Sequence, residues 1–279
     1  MLSYRHGYHA GNFADVLKHA VLSLLLLALR KKDKPFRYLE THAGAGRYDL
    51  RDKLALKNAE YRSGIVRLWE RPDIPTLLQD YMAAVRSAND GDRLRWYPGS
   101  PLIARRLLRP GDSMALCELH STEIVLLRSL FARDRQVTVY HRDGYAALNA
   151  LLPPVERRGL VLCDPAFEIK DERTRLFDSL TLARAKWPTG IFAIWHPIQE
   201  RPVTERLYLR FENAGIPKIL LVELCILPDA TTKALIGSGM LLINPPWRID
   251  DELKELLPWL LAVLASDGTG SWRVEWLTT

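Results

Sequence analysis

Apolar positions along the chain follow two rhythms. The first is Val16, Leu17, Ala20, Val21, Leu24 and Leu25, spaced as one face of a helix. It predicts a helix from about residue 12 to the cluster Arg30-Lys31-Lys32-Asp33-Lys34, with Asn12 as N-cap and basic residues complementing the C-terminal dipole. The second rhythm is a series of short apolar blocks bounded by polar turns. These predict strands at 36–40, 114–118, 137–141, 160–163, 190–195, 218–226 and 239–244. The last two are expected to form an antiparallel pair at one sheet edge. Helices are expected near 101–109, with Ser100 as N-cap and Pro101 in the first turn, near 122–132, from Arg142-Asp143-Gly144-Tyr145 onward, and near 171–185, 200–213 and 250–265. Strand alternating with helix predicts an α/β fold with a doubly wound, mostly parallel sheet. Residues 48–96 break the alternation. They are polar and helical, through Tyr61 to Trp69 and Ile74 to Val85, and close on Asn89-Asp90-Gly91-Asp92. The expected division is therefore 1–47, a small helical insertion at 48–96, and 97–279.

Composition narrows this picture only slightly. At 279 residues, 48% hydrophobic and 26% charged, the chain can bury a full core. A net charge of +6 leans toward a polyanionic partner. Cys117, Cys163 and Cys225 lie far apart beside apolar strands, without metal-ligand spacing. They are expected to be inert core residues in a reducing cytoplasm, and no metal is expected. The N-terminus lacks the order of a signal peptide. The apolar runs at 20–29 and 256–265 are too short to span a bilayer, and Pro258 interrupts the second. No membrane role is expected.

The candidate chemistry sits at strand ends, where open α/β sheets bind ligands. The strand at 160–163 stops at Asp164-Pro165-Ala166-Phe167. Asp164 can accept a hydrogen bond from an amino group, Pro165 keeps its carbonyl as a second acceptor, and Phe167 offers a flat face for a planar ring. Two acceptors beside an aromatic face suit the exocyclic amine of a nucleobase. The turn resembles the D-P-P-[YFW] motif of the N6-adenine and related amino methyltransferases, with Ala166 in place of the second proline. The first strand runs into Gly44-Ala45-Gly46, a turn that lets backbone approach a ligand. It lacks the third glycine and the later acid of a nicotinamide site. Glu118 ends the second strand, where an acid can accept ribose hydroxyls. Asp143 is an N-cap, a ligand for an adenine amine, or both. His196-Pro197 is expected to end a strand on the substrate side. Asn244-Pro245-Pro246-Trp247 echoes an Asn-Pro-Pro-aromatic variant of the motif but follows the last predicted strand, and is read as a strand exit with structural prolines. At the N-terminus, Tyr4, Arg5, His6, Tyr8 and His9 crowd into one segment whose rings could stack on bases.

Gly44/Gly46, Glu118, Asp143-Gly144 and Asp164 follow the order in which class I methyltransferases present cofactor and then target-base contacts. The whole chain resembles the 23S ribosomal RNA (adenine-N6)-methyltransferase J family. The resemblance runs through Leu2-Ser3-Tyr4-Arg5-His6, His9-Ala10-Gly11-Asn12, Asp15-Val16-Leu17-Lys18-His19, Thr41-His42-Ala43-Gly44-Ala45-Gly46-Arg47-Tyr48, Tyr97-Pro98-Gly99-Ser100-Pro101 and 239–247. It implies a Rossmann-like class I fold and S-adenosylmethionine contacts at His19, His42, Gly44, Ser100, Glu118, Asp143, Gly144 and Asp164. It implies Asp164 as the catalytic acceptor, and Tyr4, His6 and Lys18 on the RNA side, with Pro165 and Phe167 holding the base. It further implies a cytoplasmic enzyme that acts on 23S ribosomal RNA free of ribosomal protein, and a monomer is expected. Ala166-Phe167 departs from the family's Pro-Tyr. The lost proline costs about 0.4–1 kcal/mol of turn preorganisation, which predicts a looser but active site. Three other readings compete: an N6-adenine methyltransferase for DNA or another RNA, a catalytically weakened RNA-binding and S-adenosylmethionine-binding protein, and, disfavoured by the broken glycine pattern, a nicotinamide oxidoreductase.

Overall fold

The computed structural model describes residues 4–228, 234–265 and 268–279. Leu2 and Ser3 of the N-terminal block lie outside them. A short 3-10 turn, His6–Tyr8, leads into α1 (Phe13–Arg30). Then follow β1 (Arg37–Glu40), β2 (Arg47–Asp49), α2 (Lys53–Asn58), α3 (Val66–Trp69), α4 (Gln79–Ser87) and β3 (Trp96–Pro98). The chain continues through α5 (Ser100–Leu107), β4 (Ser113–Glu118), α6 (Ser121–Leu130), β5 (Val137–His141), α7 (Gly144–Leu151) and β6 (Gly159–Cys163). It ends with α8 (Glu172–Lys186), β7 (Ile191–Ile198), α9 (Arg201–Glu212), β8 (Ile219–Cys225), β9 (Gly237–Ile243), α10 (Ile249–Leu264) and β10 (Ser271–Thr278).

One eight-stranded sheet has the order β10-β8-β9-β7-β6-β1-β4-β5. Strands β5, β4, β1, β6 and β7 are parallel neighbours. Strand β9 runs antiparallel between β7 and β8, and β10 antiparallel to β8. The carboxyl ends of the five parallel strands therefore share one edge. The chain reverses direction across the sheet at β1, with β4 on one side and β6 on the other, which opens a crevice there. This is the doubly wound, mostly parallel Rossmann-like arrangement.

The strands that flank the crevice are largely buried because both faces are covered. All five residues of β6 are buried, as expected of a parallel strand between helical layers. Helix α1 is apolar nearly all round, and its residues Phe13 to Leu26 are all buried. It packs on α5, β9, α10, α4 and β6. Each fully buried leucine of this helix, such as Leu22, Leu25 and Leu26, contributes about 1.5–3 kcal/mol. Asn12 caps it as expected, accepting from the Asp15 amide at 2.9 Å. The core thus fixes the rotation of α1, and with it the direction of Asp15, Lys18 and His19.

Four features differ from the expectations. Strand β7 does not stop at His196-Pro197 but continues to Ile198, because β9 pairs with it through Ile198↔Gly237. The β8/β9 pair is internal: β10, whose Trp272, Val274 and Trp276 alternate with charged residues, forms the edge beyond it. Residues 47–98 hold short helices, but β2 and β3 also pair, Arg47↔Pro98 to Asp49↔Trp96, and close the base of that segment. Gly99, not Ser100, is the N-cap of α5, because the Ser100 hydroxyl donates to Glu40 instead. The three cysteines are buried, and Cys225 Sγ accepts from Arg201 at 3.2 Å. Asn244-Pro245-Pro246-Trp247 leaves β9 at the edge opposite Asp164, with the Asn244 amide donating to the Pro188 and Gly190 carbonyls. That agrees with its reading as a strand exit.

Candidate active site

Two cavities meet at the carboxyl edge of the parallel strands. The first lies over the ends of β1, β4, β5 and β6. It gathers His19, His42, Gly44, Ser100, Glu118, Asp143, Gly144, Asp164 and Pro165, together with Tyr4, His6 and Lys18. The second is lined by Phe167, Trp195, Pro197 and the start of α1. Tyr4, His6, Lys18, Asp164 and Ala166 face both. Of the site residues the family resemblance implies, only Phe167 stands outside the first cavity, and it faces the second. His196 is buried behind β7 against Tyr208 and faces neither, whereas Pro197 does reach the second cavity.

Each side chain in the first cavity is held by the local fold. Gly44 and Gly46 adopt φ of +58° and +76°, which only glycine takes without strain. A Cβ on Gly44 would lie 2.3 Å from the Tyr48 hydroxyl. The Gly44 amide donates to Glu118 Oε2 at 2.7 Å, and the His120 amide to Oε1 at 2.6 Å. Each oxygen keeps a lone pair for a ligand. Burial raises the Glu118 pKa, against these two hydrogen bonds. Gly144 begins α7 so close to β1 that a Cβ there would lie 2.2 Å from the Thr41 carbonyl oxygen. Asp143 caps that helix, accepting from the Tyr145 and Ala146 amides, and its other oxygen takes Arg175 at 2.8 Å. Burial opposes ionisation of Asp143, but these donors and Arg175 hold its pKa low. His42 is paired through Nδ1 with the Thr41 hydroxyl at 2.7 Å and stands edge-on to Tyr145.

A chain of charges crosses the shared wall. Lys18, 3% exposed, donates to Asp164 Oδ2 at 2.5 Å and to Asp15 Oδ1 at 2.9 Å. Burial alone would lower the Lys18 pKa, but the two carboxylates override it and hold the ammonium firmly charged. Asp15 is likewise held ionised, against burial, by His6 and Lys18. Its Oδ2 takes His6 Nε2 at 2.8 Å and the Gly11 amide at 2.8 Å. His6 Nδ1 meets the Tyr4 hydroxyl at 2.9 Å, and Tyr4 stacks on His9, whose Nδ1 reaches Glu60 at 3.0 Å. From Tyr4 onward the N-terminal segment is therefore docked on the protein. His19 pairs through Nδ1 with Tyr97 at 2.7 Å. Burial pushes its pKa down to about 3, so the ring is neutral, and among the described residues its buried Nε2, 4.0 Å from Asp15 Oδ1, has no hydrogen-bond partner.

Phe167 takes φ of +54°, uncommon for a bulky residue and a mark of local strain. Its ring meets Trp195, 6.0 Å between centroids, with the Arg173 guanidinium 5.3 Å from the ring centre. Three residues of this region escaped the sequence reading. Asp15 had a signal, standing one helical turn before Lys18 and His19. Glu40, fully buried beside the glycine turn, accepts from Ser100 and from Tyr38 at 2.9 Å. Burial pushes its pKa up to about 8. Its signal was an acid closing an apolar strand. Trp195 had none, because only the sheet order brings β7 beside β6.

The sequence matches known proteins over nearly its whole length. A family model described as ribosomal RNA large subunit methyltransferase D, RlmJ, matches residues 33–278. The chain is 47% identical over 277 residues to ribosomal RNA large subunit methyltransferase J of Escherichia coli (strain K12), covering 99% of each chain. It is 46% identical over 279 residues to the Haemophilus influenzae protein of the same name, covering 100% of this chain and 99% of that one. Among solved structures, Legionella pneumophila protein LPL1258 superposes with a TM-score of 0.89 at 39% identity, over 96% of this chain and 98% of that one.

Proposed function

The chain belongs to the ribosomal RNA large subunit methyltransferase J family, and from that membership we propose that it transfers a methyl group from S-adenosylmethionine to the N6 amine of an adenosine in 23S ribosomal RNA. The observation that carries this reading is the wall shared by the two cavities, with Asp164 between a nucleoside-type pocket and an aromatic one.

The first cavity suits the cofactor on its own chemistry. His19 presents a buried, unpartnered ring nitrogen, Glu118 keeps lone pairs for ribose hydroxyls, and Gly44 and Gly144 leave backbone where a side chain would clash. His42, Ser100 and Asp143 complete the set. When bound there, S-adenosylmethionine supplies a methyl group on a positively charged sulfur. The second cavity takes the target base, with Phe167 and Trp195 as its aromatic surfaces. Removing an adenosine from its stack costs a few kcal/mol, and stacking on Phe167 returns ~1–3 kcal/mol. Asp164 Oδ2 is committed to Lys18, but Oδ1 has no hydrogen-bond partner among the described residues and is placed to accept from the amine. The Pro165 carbonyl is the second acceptor. Holding the amine in line contributes roughly 7–11 kcal/mol when the geometry is near-attack. Asp164 then takes the proton the amine must lose. Tyr4 and His6 cover the wall from the RNA side.

In this reading residues 48–96 are an insertion between 1–47 and 97–279, an assignment supported by the β2/β3 pairing at its base. The enzyme works as a monomer in the cytoplasm on RNA free of ribosomal protein. Among the described residues no helix is long and apolar enough to cross a membrane. The test is transfer of labelled methyl to protein-free 23S ribosomal RNA from cells lacking this enzyme. Label is expected as N6-methyladenosine and absent with Asp164→Ala. Binding of S-adenosylmethionine without transfer to this RNA would refute the reading.

A further inference from the structure

Asp15 lies beneath the N-terminal segment, 2% exposed, and its contacts divide by oxygen. Oδ2 holds His6 Nε2 and the Gly11 amide, each at 2.8 Å. Oδ1 holds Lys18 Nζ at 2.9 Å, with His19 Nε2 4.0 Å away. The ammonium of Lys18 is thus stretched between Asp15 Oδ1 and Asp164 Oδ2. An ammonium has three donors. Two would suffice to bridge both oxygens of Asp164, so it is the tie to Asp15 Oδ1, anchored on α1, that holds the ammonium at Oδ2 alone.

We propose that Asp15 is a positioning residue with two tasks: it holds Lys18 off the second oxygen of Asp164, which keeps that oxygen free for the target amine, and it ties the docked N-terminal segment to the same charge cluster through His6. The proposal rests on the methyl-transfer reading for its first task only. Without Asp15, Lys18 collapses onto Asp164, and the free acceptor is lost to an internal ion pair. Without Asp15, His6 and the Gly11 amide also lose their anchor, and the segment bearing Tyr4 comes off the wall. The same carboxylate therefore registers the covering segment against the acceptor. Asp15 touches neither the base nor the methyl group in this arrangement.

Two substitutions separate these effects. Asp15→Asn keeps the shape and removes the charge. Lys18→Arg keeps the charge, but its planar fork can bind both oxygens of a carboxylate. Three quantities are measured in the full-length protein: S-adenosylmethionine affinity, single-turnover methyl transfer at saturating 23S ribosomal RNA, and amide hydrogen exchange over residues 5–11. Both variants are expected to bind S-adenosylmethionine within about threefold of wild type. Both should lose about tenfold to a hundredfold in turnover, the scale of a misplaced reacting group. Asp15→Asn should also speed exchange over residues 5–11, a readout that needs no catalysis. Should Asp15→Asn not fold, Lys18→Arg alone tests the acceptor argument. Wild-type turnover in Lys18→Arg overturns the first task, and unchanged exchange in Asp15→Asn overturns the second. A wild-type protein that transfers no methyl, while Asp15→Asn loosens the segment, refutes the methyl-transfer reading and leaves the tether standing.

Discussion

The protein buries two clusters of charge on the same sheet, and they differ in what they leave unpaired. The cluster on β7, β8 and α9 is closed. Glu223, 1% exposed, accepts from Arg201 at 2.7 Å, from Tyr208 at 2.5 Å and from Arg273 at 3.3 Å. Tyr208 in turn meets His196 at 3.2 Å, and Gly239 makes room for that ring, since a Cβ there would lie 2.2 Å from it. The cluster at the shared wall is left open on one side. Among the described residues Asp164 keeps one oxygen without a hydrogen-bond partner, and His19 a buried nitrogen without one. A buried polar group left unpaired costs about 1–3 kcal/mol. The closed cluster avoids that cost and serves the fold. The open one bears it at His19 Nε2, where a ligand can relieve it.

The contrast predicts opposite consequences for losing a carboxylate. Asp164→Ala should lower methyl transfer by about 10²–10⁴-fold, the range for a positioned proton acceptor. It should barely change thermal stability, because Lys18 retains Asp15. Glu223→Ala leaves two guanidinium groups facing a vacancy, and breaking a buried pair costs about 3–5 kcal/mol. Its folded fraction should turn over normally. Paired melting curves and single-turnover rates check both. Equal loss of stability in the two variants would erase the distinction between the clusters.

Phe167→Ala is the next largest effect. Losing ~1–3 kcal/mol of stacking lowers kcat/KM for RNA roughly 5- to 150-fold and leaves S-adenosylmethionine affinity untouched, because the ring faces only the second cavity. A change in cofactor affinity would place Phe167 in the wrong pocket.

A further effect, on stability alone, is a pH dependence at Glu40. Burial raises its pKa from 4.5 to about 8 in the fold. A carboxyl with a raised folded pKa adds stability that is complete below about 4.5 and lost as pH rises through about 8. Wild type should therefore lose stability relative to Glu40→Gln between those limits. Denaturant melts at pH 5 and pH 8 measure the difference, and parallel curves would show Glu40 ionised throughout.

The sequence determined those elements whose signals are local. Helix α1 was legible from its apolar spacing and the Asn12 cap, and the strands of the parallel half from their continuous apolar runs. The glycine turn, Glu118, Asp143 and the Asp164 turn were legible because each closes a strand, and parallel strands deliver their carboxyl ends to one edge. Tertiary structure alone decided what happens between elements. It paired β2 with β3 across the segment they enclose, carried β7 past His196-Pro197 because β9 lies alongside, and laid β10 over the edge expected to be β8/β9. It brought Trp195 beside Phe167, drew the Ser100 hydroxyl from a helix cap to Glu40, and set Asp15 between the N-terminal segment and Lys18. None of these contacts has a period or a spacing along the chain. They follow from the order of strands in the sheet and the rotation of α1 in the core, which are fixed by burial summed over the whole chain.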